Sequence, residues 1–153
     1  MKALFNKYPL SLLVISLLFA IKALYLAFSV TPLWDIPDET GHYAYVRDLA
    51  EGRGVPVLGE ALVGEDIIES TVGELPTKLN WIAQHPPAYY ILASIPLIVG
   101  GQFTVDQQIL FRLPRITAAL SGALSLLVLF STFRVINVGT MSAIALASAI
   151  GFI

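Results

Sequence analysis

Cysteine is absent and charge is scarce: only 13% of the 153 residues are Asp, Glu, Lys or Arg. Without cysteine the chain can form neither a disulfide nor a thiolate metal site, and it is compatible with either side of a membrane. The nine basic residues form no stripe and the formal net charge is -2, which argues against a nucleic-acid partner. What is abundant is apolar: 56% of the residues are hydrophobic, far above an average soluble domain, and the solvent this composition fits is a lipid bilayer.

Residues 9–30 are apolar apart from Lys22 and a few hydroxyls. At a rise of ~1.5 Å per residue they span roughly 33 Å, enough to cross a hydrocarbon core. A signal peptide is the competing reading, but the run exceeds a normal apolar h-region and no small-residue cleavage site follows, so a retained anchor is expected. Lys2 and Lys7 precede it, which by the positive-inside rule puts residues 1–8 in the cytoplasm and residues 31–86 outside. Lys22 either snorkels to the outer interface or meets a carboxylate. Residues 87–103 read as a second, short membrane helix, and 104–115, with Arg112 and Arg115, as a cytoplasmic connection. Residues 116–133 read as a third membrane helix, in which Ala118, Ala119, Gly122 and Ala123 let another helix approach closely. Residues 138–153 read as a fourth, expected to be incomplete where the sequence stops. The expected fold is an all-α membrane protein of about four transmembrane helices, with an extracytoplasmic loop carrying short interfacial helices.

That loop is strongly acidic: residues 31–87 hold ten of the eleven acidic residues and three of the nine basic ones. Its informative stretch is LWDIPDETGHYAY, residues 33–45. Pro37 suits a first helical turn, acidic residues suit a helix N-terminus and Gly52 suits a stop, so a helix is predicted over 38–51. His42, Tyr45, Val46 and Leu49 share one face of it, opposite Thr40, Arg47 and Glu51, as in a helix lying at the membrane interface. On periodicity alone Asp38 and Glu39 are helix-terminus charges. Glu60, Glu65, Asp66, Glu69 and Glu74, answered only by Lys78, read as a solvated acidic insertion without the ligand spacing of a calcium loop.

The segment LWDIPDETGHYAYVRDLAEGRGVPVLGE, then QHPPAYYILASIPLIVGG, then FRLPRITAALSGALSLLVLF, resembles the opening of bacterial GT-C glycosyltransferases. In pattern it is similar to the lipid A aminoarabinose transferases and, more distantly, to the protein O-mannosyltransferases. The resemblance runs from about Trp34 to Phe133. It implies sugar transfer from a polyprenyl-phosphate donor to a lipid, glycan or protein acceptor outside the membrane. Asp38 then falls on the aspartate that activates the acceptor hydroxyl, with Glu39 beside it in the motif. Such chemistry asks for one carboxylate to take the hydroxyl proton and a positive group to steady the departing phosphate.

Where the aminoarabinose transferases carry Glu-Lys-Pro, this chain has Gln84, His85 and Pro86. Gln84 is a weaker metal ligand than a carboxylate, so a divalent metal stays an open possibility and no cofactor is assigned. His85 reads either as a phosphate contact or as a polar cap on the Pro86-Pro87 helix start. His42 packs at the interface, or else orients Asp38 or helps bind a metal. Tyr89 and Tyr90 read first as a headgroup-level aromatic belt and second as lipid-phosphate contacts. Two other classes compete: a small non-catalytic membrane subunit whose acidic loop binds another protein, and a transporter fragment, which predicts more core-facing ionisable residues than Lys22.

Overall fold

The computed structural model describes residues 8–36, 38–71 and 78–152, with side chains through Ile150. Lys2, Lys7, Pro37 and Glu74, on which parts of the sequence reading fall, lie outside the described residues. Secondary structure there is helical throughout, apart from one antiparallel bridge between Leu62 and Leu79. The elements are α1 (Leu10–Tyr25) running into a π-helical turn (Leu26–Val30), α2 (Glu39–Ala50), α3 (Glu65–Glu69), a 3-10 turn (Trp81–Gln84), α4 (Ala88–Gly100), α5 (Gln107–Leu110), α6 (Arg115–Val135) and α7 (Thr140–Phe152).

The chain divides into two compact units, one of residues 1–27 with 118–153 and one of residues 28–117. In the first, α1 and α7 pack through Leu12, Phe130, Ala143, Ile144 and Ala147. Of the small residues at 118–123, Ala119 and Ala123 are buried, and a side chain at Gly122 would stand 2.8 Å from Phe19 Cε1. The turn between α6 and α7 passes through Asn137 at φ 63, and Arg134 Nη1 closes it by donating to Val138 O at 2.6 Å.

Two helices are long and apolar enough to cross a bilayer, Leu10–Val30 and the run Gln107–Val135, in place of the four expected. Only 11% and 22% of their apolar windows are buried, which is the pattern of a lipid-facing helix rather than of a soluble core helix. Helices α4 and α7 have 13 residues each, or roughly 20 Å of rise, short of a ~30 Å hydrocarbon core. Lys22 sits exposed in the last turn of α1.

The second unit is built around α2, found within one residue of its predicted bounds. Its end follows from Gly52, which takes φ +75 while Arg53 N donates to Asp48 O at 2.8 Å. Its setting differs from the expected interfacial helix. Gly41 and the run from Tyr43 to Val46 are buried, so the helix is covered on nearly every side by α3, α4, the 3-10 turn and Phe111. The described acids of the insertion, Glu60, Glu65, Asp66 and Glu69, are exposed as a solvated segment requires, while its apolar side is anchored. Ile67 is fully buried in the same core, and Arg47 of α2 pairs with Asp66 at 2.6 Å across Gly64.

Helix α4 continues through Pro96, whose missing N–H leaves Leu92 O without its helical donor. Thr117 Oγ1 supplies one at 3.3 Å. Leu113 packs directly over Gly100, closing the same end of the unit.

Candidate functional site

Residues 33–39 enter α2 with two non-glycine residues in the left-handed region, Trp34 at φ 64 and Asp38 at φ 66. Each costs about 1–2 kcal/mol for an L residue, and aspartate bears it better than tryptophan. Trp34 is held there by packing: its ring meets Phe111 at 4.9 Å and Tyr43 at 6.0 Å, while its backbone N–H donates to Glu39 Oε2 at 2.8 Å. Asp38 occupies the position before α2, yet its side chain makes no capping hydrogen bond. Its carboxylate is exposed.

Glu39, the next residue, is committed. Arg115 grips it with two parallel hydrogen bonds, Nε to Oε1 at 2.6 Å and Nη2 to Oε2 at 2.8 Å. The same guanidinium donates to Thr31 O and Pro32 O at 3.0 and 2.8 Å. Both side chains are nearly buried, at 12% and 11% exposed. Planar fork-to-carboxylate geometry of this kind gives fixed direction as well as energy. Glu39 stands beside Asp38 as the motif has it, and both its oxygens are engaged in holding the segment from residue 31 to α2 against the start of α6.

The same ion pair corrects the topology. Arg115 was expected at the end of a cytoplasmic connection over 104–115 and Glu39 in an extracytoplasmic segment over 31–86. A 2.6 Å contact cannot reach across ~30 Å of hydrocarbon, so the two residues share one side of any bilayer and 87–103 is not a crossing between them.

His42 and His85 come together although 43 positions separate them. Their rings meet edge to face at 5.7 Å, and the Tyr90 hydroxyl lies between them, 2.8 Å from His42 Nδ1 and 3.2 Å from His85 Nδ1. Tyr90 is buried, stacked on Tyr45 with ring centroids 3.9 Å apart, and so is no member of an interfacial belt; Tyr89, beside it, is exposed. Tyr45 in turn donates to His85 O at 3.1 Å. Burial pushes the Tyr90 hydroxyl up to about 12, with Tyr45 and Tyr89 adding to the effect, so it stays protonated at neutral pH. His42 is held below its usual value of 6.5 by burial first and by His85 second, against the opposing pull of Asp38 and Glu39.

What places His85 is a residue the sequence reading passed over. Asn80 is buried and caps the 3-10 turn, accepting from Ile82 N at 3.1 Å, while its amide donates to Gly41 O at 3.1 Å. Gly41 permits this approach: a side chain there would stand 2.7 Å from Ile82 Cγ1 and 2.9 Å from Asn80 Oδ1. The 3-10 turn is thereby pinned to α2, and His85 follows at its end. Asn80, Gly41, Tyr90 and Arg115 all position the site, and the only signal available for them was Asn before an apolar turn and Gly inside a helix.

Among the described residues no cluster of three or more His, Asp or Glu side chains is grouped to hold a metal ion. No protein-family model, curated protein or solved structure matches the chain.

Proposed function

We propose that this chain is the N-terminal part of a GT-C-type membrane glycosyltransferase, moving a sugar from a polyprenyl-phosphate donor to an acceptor hydroxyl on the extracytoplasmic side. Asp38 is the base. His85, with His42, meets the phosphate, and Tyr89 lines the approach of the lipid. The observation that carries the reading is the division of labour between neighbouring carboxylates. Glu39 is consumed by Arg115 and Trp34, whereas Asp38 is thrust out of helical geometry at φ 66, exposed and uncapped, close enough to bias the charge of His42. A residue serving only as a helix cap would accept from the first-turn N–H groups, and Asp38 does not. Non-glycine residues held in a rare backbone region concentrate where a side chain must be aimed.

In this reading the anomeric carbon's bond to phosphate oxygen breaks as the acceptor oxygen bonds to that carbon, and Asp38 takes the acceptor's proton. The phosphate is a good leaving group and needs positive charge or N–H donors more than it needs an acid. The topology that goes with it has the N-terminus in the cytoplasm, α1 outward, residues 31–115 together on the outer face, and the rest of α6, residues 116–135, returning through the inner membrane.

The test is Asp38→Asn in the full-length protein carrying this segment. Transfer should fall by about 100-fold or more, the scale of a lost general base, with membrane insertion unchanged. Turnover within a few-fold of wild type would sink the assignment.

A further inference from the structure

Within the cluster joining α2, the 3-10 turn and α4, a single hydroxyl serves two imidazoles, and it meets both through the same type of ring nitrogen. The Tyr90 hydroxyl has one hydrogen and can donate it to one Nδ1 only. The other Nδ1 must then carry its own hydrogen and donate to the Tyr90 oxygen. Two neutral rings satisfy this only in opposite tautomers: one with Nδ1–H and a bare Nε2, the other with a bare Nδ1 and Nε2–H. Both rings are half-buried, and their side-chain hydrogen bonds to Tyr90 run through Nδ1, so Nε2 is the nitrogen through which each would meet a ligand.

We propose that Tyr90 is a positioning residue that locks His42 and His85 into opposite tautomers, so that the pair takes up one proton rather than two and presents Nε2–H donors to an anionic phosphate. The phosphate half rests on the glycosyl-transfer reading, and the tautomer half stands apart from it. The first proton enters at the bare Nε2 and leaves both hydrogen bonds to Tyr90 intact. A second would place an N–H on the remaining bare Nδ1, cancel the Tyr90 donation and set two cations in rings 5.7 Å apart. Asp38 and Glu39 at the start of α2 favour the first charge, burial opposes it, and Tyr45 and Tyr89 surround Tyr90 without bearing charge at neutral pH. One cation and two N–H donors suit a phosphate, which accepts several charge-assisted hydrogen bonds at once.

The chain has two histidines in all, so nitrogen-15 NMR of histidine-labelled protein in lipid nanodiscs observes these two rings alone. At alkaline pH one ring should show protonated Nδ1 and the other protonated Nε2, and acidification should turn the first ring into an imidazolium while the other keeps its bare Nδ1. Tyr90→Phe keeps the ring stacked on Tyr45 but should abolish the Nδ1–H species, leaving both rings with Nε2–H. Two Nε2–H rings in the wild-type protein overturn the proposal without recourse to any variant. Adding polyprenyl monophosphate to the nanodiscs should then shift both Nε2 signals, while equal phosphatidylglycerol should not. Opposite tautomers with no response to polyprenyl monophosphate would uphold the lock and overturn its phosphate role, while the loss of transfer in Asp38→Asn tests the glycosyl-transfer reading separately.

Discussion

Asp38 and Glu39 are chemically near-identical neighbours with opposite fates, and the difference lies in what each oxygen touches. Glu39 gives both oxygens to Arg115 and one also to the Trp34 N–H, in a setting where water reaches neither partner well. Removing one member of such a pair strands the other charge, and the cost is about 3 kcal/mol or more. Glu39→Gln and Arg115→Gln should each lower the unfolding free energy by roughly that amount. The double substitution should cost clearly less than their sum, as a double-mutant cycle in detergent would read. Additive losses would mean that the pair is not coupled and that the clamp on residues 31–39 lies elsewhere.

At the scale of elements, the site depends on how closely the 3-10 turn lies against α2. Gly41 makes that approach possible, at a position where glycine is intrinsically worse for a helix than alanine by about 1 kcal/mol. Gly41→Ala would recover that propensity but push a methyl group to 2.7 Å from Ile82 and 2.9 Å from the Asn80 amide that caps the turn. Overpacking of this sort costs about 1–3 kcal/mol. A net loss is the expected sign, seen as a lowered midpoint of thermal unfolding. A raised midpoint would show that the turn gives way freely, and His85 would then lose its fixed place. Helix α4 follows the same logic, because the carbonyl freed by Pro96 is satisfied by Thr117 and the helix is locked to the start of α6 instead of breaking.

For the whole molecule the consequence is a topology. In the proposed topology the Glu39–Arg115 pair keeps residues 31–115 on one face of the membrane, so Asp106 is expected on the same side as Glu60 rather than across the bilayer from it. The absence of cysteine makes this simple to check, since a single introduced thiol is the only one in the chain. Glu60→Cys and Asp106→Cys should both react with a membrane-impermeant maleimide added from outside, each at an exposed position. Labelling of Glu60→Cys alone would restore 87–103 as a crossing and contradict the ion pair.

The residues that form helices, the long apolar runs at 10–30 and 116–133, the stop at Gly52 and the small residue at Gly122 were all legible in the chain itself. Each depends on spacing within a few turns or on an apolar run, and local physics decides it. Asp38, Glu39, His42, His85 and Tyr89 could be named as candidates on the same basis and on family resemblance. Which carboxylate is free and which is bound could not be, because the deciding partner, Arg115, lies 76 positions away. The burial of α2 on nearly all sides, the Tyr90 hydroxyl between two imidazoles and the capping of the His85 turn by Asn80 share that dependence. They are contacts among segments that come close only when residues 28–117 close on themselves, and short-range periodicity carries no information about such pairs.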